Sequence, residues 1–397
     1  MFGTGAGQSH LIGLFFDPLS SELGLSRTSL ALAYGGATLV AAFLLPLLGK
    51  LIDRYGAAGT LFAVALALGV ASVLFGFADS WLLIAIGFGF IRFLGQGALT
   101  LCCVNLISHW FVGRRGFAMG LMALGFPLSM AIHPPLCQWA IDTIGWRETW
   151  MWIGISTWVL LLPPIALFLY SRPEPLGLRP EGIDVEPAGG MQAEPEGLTL
   201  SEALRTPAFY ILAMSLFALS MLVTALHVEN KGILMSHGLS AQTAALMFTF
   251  TGIAAAVCMP IVGHLLDRVR TEWMLAGGLL VTALSLVSAT LVSGVASAVV
   301  YALIFGINNA VTMTYFAFLW PRYFGRRHLG SIQGTGQMVG IVGASIGPLP
   351  LAAAVDLSGS YDLTLVLLAL VPVCCAVVVV VALRAPNLST TESPPST

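Results

Sequence analysis

Gly49-Lys-Leu-Ile-Asp53-Arg54-Tyr-Gly56 is a short polar stretch between two long apolar runs, and a related stretch recurs later in the chain as Gly263-His-Leu-Leu-Asp267-Arg268. Two further pairs keep nearly the same separation: Trp110-Phe-Val-Gly-Arg-Arg115 with Tyr323-Phe-Gly-Arg-Arg327, and Asp142 with Asp356. Three matches at one separation are hard to obtain by chance. The sequence therefore predicts two similar halves that contain these elements in the same order.

The composition indicates an integral membrane protein. Hydrophobic residues make up 57% of the 397 residues and charged residues 9%, with a mean hydropathy of +0.90. Soluble domains carry about 25% charged residues, so a soluble fold of this chain would expose far too much apolar surface. The lipid bilayer is therefore the expected environment of the chain.

Twelve apolar runs are long enough, or nearly so, to cross about 30 Å of hydrocarbon as α-helices. They lie near residues 2–17, 29–49, 59–78, 81–107, 117–140, 148–170, 208–229, 242–263, 273–294, 296–320, 330–354 and 363–383. The predicted fold is an all-α polytopic membrane protein with twelve transmembrane helices in two pseudo-symmetric six-helix bundles. The first run is short and is interrupted by Gln8, Ser9 and His10, which indicates either a partly re-entrant helix or a truncated one.

The positions of lysine and arginine predict the orientation. Of the 17 such residues, thirteen fall in alternate loops, which the positive-inside rule places in the cytoplasm together with both termini. Arg27, Arg147 and Lys231 fall on the other side, and Arg92 lies within a span. The expected location is the cell (inner) membrane, with both termini cytoplasmic.

A loop rich in proline and glutamate divides the chain. We expect an N-terminal six-helix bundle over 1–170, a cytoplasmic linker over 171–206, a C-terminal bundle over 207–384 and a disordered tail over 385–397. Most of the linker is expected to be disordered. Near its end, Thr199-Leu-Ser-Glu202 has the spacing of a capping box, which predicts the start of a short surface helix.

The sequence argues against several classes of function. A net charge of −2 without any basic tract argues against nucleic-acid binding. The six cysteines lie inside apolar runs without the spacing of a metal site, and the sequence shows no catalytic signature of a membrane enzyme. We therefore expect no enzyme activity, no cofactor and no metal, and we expect a monomer.

The stretch at 49–56 resembles the loop signature between the second and third spans of the major facilitator superfamily, and 263–268 resembles its degenerate second copy. Other stretches are similar to the branch with monocarboxylate transporters and the oxalate/formate antiporter: 7–9, 23–27, 172–182 and 322–327. The resemblance implies a secondary transporter of a small molecule that works by alternating access between two repeats. It also implies that spans one, four, seven and ten line the pathway.

The sequence departs from that branch where an anion and a proton are usually handled. Monocarboxylate and oxalate carriers place an arginine just before a Pro-x-x-Gly in span eight, and here Met259 precedes Pro260. The acid found one turn earlier in proton-coupled members corresponds to Ala255. Ala57 and Ala58 also stand where the loop signature usually ends in basic residues. The usual anion anchor and proton site are both missing.

The two loop stretches are the candidate gating motif, which consists of Gly49, Asp53, Arg54, Gly56, Gly263, Asp267 and Arg268. A carboxylate such as Asp53 is favourable near a helix N-terminus and can pair with Arg54 or a neighbouring helix. One interpretation is a latch that holds the outward-open state and breaks as the halves rock. The other is a static loop ion pair, which contributes about 0–1 kcal/mol when exposed.

Arg92 is the single lysine or arginine that the sequence places at bilayer depth, where a charge costs about 2.5–3.5 kcal/mol. It can pair with an anionic substrate, modulate a nearby histidine, or bond to carbonyls of span one and hold the bundle together; these alternatives stay open. Polar side chains at helical spacing extend the candidate substrate site to Gln8, Arg92, Gln96, His133, His227, Asn308, Tyr315 and Gln337. Each can instead make an interhelical hydrogen bond, typically about 0.6 kcal/mol.

Proton coupling would fall to histidine, because no carboxylate lies deep in a predicted span. His133 and His227 are the candidates, and an ordinary hydrogen-bonded histidine is the alternative. The sequence thus predicts a secondary carrier of a small, monocarboxylate-like organic anion. The alternatives are an exporter of drugs or neutral metabolites, favoured by Met- and Phe-rich walls such as Met247 and Phe248, and a non-transporting membrane protein.

Overall fold

The computed structural model describes residues 1–111, 114–173, 197–325 and 328–384. The first helix, α1, is broken into four consecutive pieces: Phe2–Gly7, Ser9–Ile12, Gly13–Phe15 and Phe16–Leu23. Gln8, between the first two pieces, has extended backbone angles. The break thus lies at the polar residues that interrupt the first apolar run. The helix ends at Gly24, whose φ of 65° is the left-handed conformation that favours glycine.

Eleven further helices in the described ranges are long and apolar enough to cross a bilayer. They are α2 (Arg27–Tyr55), α3 (Ala57–Phe75), α4 (Trp81–Trp110), α5 (Phe117–Ile144), α6 (Trp146–Phe168), α7 (Pro207–Ser236), α8 (Ala241–Arg268), α9 (Thr271–Thr290), α10 (Val295–Phe324), α11 (Ser331–Ser358) and α12 (Asp362–Ala382). Each corresponds to one predicted span after the first. The predicted all-α polytopic fold is confirmed.

Short polar side chains fix where helices begin. Ser26 caps α2 by accepting a hydrogen bond from the Ser29 amide, and Ser240 caps α8 in the same way from Thr243. The two caps occupy equivalent places in the two halves. They add a fourth matched pair to the three that the loops provide, so the repeat extends to helix termini.

The predicted capping box is present at the end of the linker. Thr199 accepts from the Glu202 amide while the Glu202 carboxylate accepts from the Thr199 amide, and the helix Leu200–Ala203 follows. These bonds hold the pKa of Glu202 below its ordinary value. The rest of the predicted disordered linker, 174–196, and the tail, 385–397, lie outside the described residues.

The bundle has two ends, which we name by their connections. The motif end contains the α2–α3 turn at Gly56 and the α8–α9 connection at Val269. The opposite end contains the α1–α2 connection at Gly24 and the α7–α8 connection at His237. Every helix runs between these two ends, so a position along one helix can be compared with its neighbours.

The two halves contact each other toward the opposite end. Thr249 on α8 donates to the Ala131 carbonyl on α5 at 2.7 Å, and Gln242 donates to the Pro135 carbonyl at 3.2 Å. Glycine makes the approach possible, because a Cβ atom on Gly252 would collide with the Pro127 carbonyl oxygen. The packing therefore seals the space between α5 and α8.

Gly56 is the one glycine of the gating motif with a special backbone, with φ of 81°. A Cβ atom there would also lie 2.5 Å from Ser171 Oγ. We expect Gly56→Ala to lower stability by about 1–3 kcal/mol, because its φ of 81° and ψ of 156° lie in a region that only glycine readily adopts. The measurement is thermal unfolding of purified protein in detergent.

Gly49→Ala is the matched control for that substitution. Nothing lies within 4 Å of a Cβ atom built on Gly49, which sits in the interior of α2. Alanine is favoured over glycine in a helix, so the control is expected to keep or slightly raise the unfolding temperature. Equal unfolding temperatures for the two variants would contradict the strain assigned to Gly56.

Candidate functional site

A cavity of about 420 Å³ lies between the two halves, with α2 and α4 on one side and α11 on the other. It begins at Arg92 and follows α4 past Thr100 to Val104, in the direction of the motif end. Three predicted site residues meet in its wall: Arg92, Gln96 and Gln337. The cavity therefore joins residues that are distant in sequence and belong to both halves.

The local shape of α4 places Arg92 at the cavity. Residues Arg92–Ala98 are wound as a π-helix, a wider form that recurs at functional sites. Gly95 in this segment touches α1: a Cβ atom on it would lie 2.8 Å from the Gly7 Cα. The bare surfaces of Gly7 and Gly95 bring α1 close enough for its backbone to reach the Arg92 side chain.

Arg92 is 3% exposed and is held from three directions. Its Nε donates to Thr38 Oγ1 at 3.1 Å, and its Nη1 donates to the Gly7 carbonyl at 3.0 Å and to Ser9 Oγ at 3.3 Å. The guanidinium also lies over the Tyr34 ring, 4.8 Å from the centroid. One of the three sequence interpretations, bonding to a carbonyl of the first span, is thus observed.

The Arg92 side chain still has a donor group and an unpaired positive charge that a ligand could use. In the hydrogen bonds described for Arg92, Nη2 donates to no protein atom. None of the ion pairs between described residues includes Arg92, so its positive charge is not neutralised by a carboxylate. Gln96 Oε1 is buried nearby without a partner in the described part of the chain. A guanidinium with a free edge in a buried cavity is suited to an anionic oxygen ligand.

Four other predicted site residues are bonded elsewhere. Gln8 donates to Thr4 within α1, and His133 shares a hydrogen bond of 2.8 Å with Ser129 within α5. Asn308 accepts from Thr282 at 2.8 Å, and Tyr315 donates to the Met274 carbonyl. The bonds of Asn308 and Tyr315 connect α10 to α9 in the second half. A role of these four residues in substrate binding stays a prediction.

His227 lies at the interface of the halves beside a histidine that sequence reasoning did not select. The ring centroids of His10 and His227 are 5.9 Å apart, and the rings of Phe126 and Phe248 flank the pair. His10 is 1% exposed, and neither of its ring nitrogens has a partner among the described residues. The sequence could have indicated His10 as a site residue, because it follows the polar residues Gln8 and Ser9 inside an apolar run.

A network of buried charges joins the halves at the opposite end. Glu229 on α7 is 0% exposed and accepts from Arg27 Nη1 at 2.6 Å and from the Tyr361 hydroxyl at 2.9 Å. Arg27 also pairs with Asp17, and Lys231 lies 3.3 Å from Asp17. The expectation that α7 ends near residue 229 is wrong, and the structure adds a buried carboxylate near this end of the bundle. The helix continues to Ser236 because these charges are paired inside the protein.

The structure describes only some of the side chains of the gating motif and of the arginine loop near it. The Asp53 side chain, Arg326 and Arg327 lie outside the described residues. Arg54 lies over the ring of Tyr55, 5.2 Å from the centroid, and Asp267 and Arg268 are exposed. A Cβ atom on Gly263 would meet nothing within 4 Å. The latch interpretation therefore stays a prediction.

The paired halves, with one match in each, identify the family. The family described as the Major Facilitator Superfamily matches residues 1–233 and again residues 230–397. The chain belongs to the major facilitator superfamily. The resemblance carried by the loop stretches is confirmed, and so is the prediction of a membrane transporter rather than an enzyme, since members of this superfamily are transporters.

Curated relatives of this superfamily member include carriers of small anions. It is 30% identical over 159 residues to a probable sulfoacetate transporter of Cupriavidus necator, a match covering 39% of this chain and 36% of that protein. It is 24% identical to monocarboxylate transporter 3 of Rattus norvegicus over 91% of this chain and 73% of the relative. It is 21% identical to the oxalate:formate antiporter of Oxalobacter formigenes over 64% of this chain and 58% of the relative.

Solved structures of the superfamily share the fold. A bacterial homologue of the human lysosomal transporter Spinster, in an inward-facing and occupied conformation, superposes with a TM-score of 0.75 at 15% identity. The match covers 99% of this chain and 96% of that one. The inward-facing, unoccupied form of the same kind of protein gives a TM-score of 0.70 at 16% identity.

Proposed function

We propose that this chain is a secondary carrier of a small organic anion, a carboxylate or a sulfonate, that works by alternating access. The observation that carries the proposal is the Arg92 guanidinium: it is buried, lines a cavity between the two halves, and among the described residues has no carboxylate partner and no hydrogen bond from Nη2. An anion at this edge would neutralise the charge and complete its hydrogen bonds.

The size and composition of the cavity support a small-molecule ligand. Its volume of about 420 Å³ falls within the range of small-molecule sites, about 300–1,000 Å³. Thr38, Gln96, Thr100 and Gln337 supply uncharged polar groups around the arginine. Sulfoacetate, oxalate, formate and monocarboxylates, which the names of the relatives mention, all carry oxygen anions of this kind. The missing arginine of span eight is replaced in this proposal by Arg92 on α4.

The arrangement of the halves supports the transport mechanism. The halves are sealed toward the opposite end, while the cavity extends toward the motif end. With the motif end in the cytoplasm, as the positive-inside rule proposes, this is an inward-facing state. Rocking of one half against the other would close the motif end and expose Arg92 to the other side. One chain contains both halves, so a monomer suffices.

Counterflow in proteoliposomes tests the proposal. Vesicles loaded with an unlabelled anion should accumulate the same labelled anion, and we would use sulfoacetate, lactate and oxalate as probes against protein-free vesicles. At least one of the three anions is expected to exchange. The other two should inhibit that exchange in proportion to their affinity for the site. Exchange of a lipophilic cation or a neutral metabolite, with none of the three anions, would contradict the proposal and favour an exporter.

A further inference from the structure

One side of α1 connects the cavity to the opposite end. Four residues spaced three or four apart each meet a side chain with a charge or a titratable ring: Gly7 meets Arg92, His10 meets His227, Leu14 meets Lys231, and Asp17 meets Arg27. Arg92 lies at the cavity, and Arg27 lies at the opposite end. The series therefore places a histidine pair between the candidate anion site and the buried charge network.

The charge network works as a closure between the halves. Asp17 and Arg27 belong to the first half, whereas Glu229, Lys231 and Tyr361 belong to the second. The Asp356 carboxylate adds a further link by accepting from the backbone amide of Thr28 at 2.8 Å. Separation of the halves must break these contacts, and the buried Glu229 would lose its cationic partner.

Glu229 is the member of this network that can bind a proton in place of its cationic partner, Arg27. Its Oε2 accepts from Arg27 and Tyr361, while its Oε1 is buried with no partner among the described residues. The groups that face it are Arg27 on α2, Asp17 on α1 and Tyr361 before α12. Lys231, on the same helix as Glu229, pairs with Asp17. Attraction to Arg27 favours the carboxylate, and a neutral Glu229 removes that attraction. Protonation and opening of this end therefore favour each other.

The histidine pair has unused proton-binding atoms. Both nitrogens of His10 and Nε2 of His227 are buried without a partner in the described part of the chain. Ser9, the residue before His10, is hydrogen-bonded to Arg92, and His133 on α5 is the other titratable group that acts on His10. The positive charge of Arg92 opposes a second cation here, and an anion bound at Arg92 would cancel that opposition.

We infer that Glu229 and the His10–His227 pair form the proton pathway of this carrier. Glu229 takes a proton from the outer water when the opposite end opens. On closure Arg27 returns to the carboxylate, the proton passes to an imidazole of the pair, and the imidazolium releases it to water on the motif side when that end opens. One proton crosses with each anion, because the imidazole accepts it when the anion screens Arg92. This inference rests on the proposed function.

The variant that tests it is Glu229→Gln, compared with Glu22→Gln. Glu22 also sits at the opposite end and pairs with Arg147 at 2.9 Å, but both residues belong to the first half. The readout is the ratio of pH-gradient-driven uptake to exchange at equal pH, with whichever probe anion exchanges. Glu229→Gln is expected to lower this ratio roughly tenfold or more, because glutamine cannot bind and release the proton that couples uptake to the gradient. Glu22→Gln should keep the wild-type ratio.

A second measurement follows the opening and closing of the opposite end and needs no transported solute. Spin labels at Ser80→Cys and Ser293→Cys, exposed positions of the two halves at the opposite end, report their separation in a background without the six native cysteines. Acid should lengthen the distance in wild type, whereas the distance in Glu229→Gln should no longer depend on pH. His10→Gln should keep the acid-induced opening and lose gradient-driven uptake.

The outcomes separate this inference from the proposed function. Wild-type protein that exchanges none of the probe anions contradicts the proposed function, and the spin-label distances then still decide whether Glu229 controls closure. An exchanging wild type whose Glu229→Gln variant retains both the gradient response and the acid-induced opening overturns the inference. Misfolding would abolish exchange as well as gradient-driven uptake, so a Glu229→Gln variant that still exchanges but has lost the gradient response supports the inference.

Discussion

Arg92→Ala is expected to lower anion counterflow by about 100-fold or more. Two charge-assisted hydrogen bonds to a bound anion contribute about 1.5 kcal/mol or more each, and each 1.4 kcal/mol is a factor of ten. The substitution also removes the positive charge from a cavity with no second cation in its described lining. The measurement is counterflow of the best probe anion in proteoliposomes at matched protein content.

Arg92→Lys and unfolding measurements complete that experiment. Lysine keeps the charge but has no planar fork, so it should restore only part of the activity. Because Arg92 also bonds to Thr38 and Gly7, the alanine variant should unfold at a lower temperature yet elute as the same species in detergent. Wild-type counterflow in Arg92→Ala would assign the residue to packing between α1, α2 and α4 alone.

The fold was accessible from sequence because its determinants are local. A run of apolar residues specifies each span without reference to its neighbours, and Ser26 and Ser240 cap helices by bonding three residues ahead. The Thr199–Glu202 capping box has the same local character. Where polar residues break an apolar run, as at Gln8, the helix breaks as well.

The site was accessible only in part because its partners are remote in the chain. Arg92, Gln96 and Gln337 line one cavity, as expected of a charge at bilayer depth that needs polar surroundings, and their role in substrate binding stays a prediction. Helical spacing shows which residues share a face but not which helix that face meets, and Asn308 turned out to bond to Thr282 on α9. The apolar run predicted to end near residue 229 gave no sign of the buried Glu229, because its partner Arg27 lies 202 positions away.

Gly252→Val is expected to prevent closure of the opposite end and to lower transport roughly tenfold or more, the scale of an overpacked contact of about 1–3 kcal/mol. A Cβ atom at this position would collide with the Pro127 carbonyl oxygen and lie 2.9 Å from the Ala131 Cβ. Carbon atoms pack best at about 3.5–4.0 Å, so α5 and α8 must separate. The neighbouring hydrogen bond from Thr249 to Ala131 would then lengthen or break.

Spin-label distances between Ser80→Cys and Ser293→Cys measure that separation, and Gly277→Val is the control. Gly277 lies on α9, where an added Cβ atom meets nothing within 4 Å, so the control should keep both the wild-type distance and the wild-type rate. Gly252→Val should shift the population to the longer distance and slow exchange as well as net uptake. Exchange slows because an anion delivered from one side must still reach the other. Wild-type distances in Gly252→Val would mean that α5 and α8 do not form the seal, and that closure depends on the charge network around Glu229.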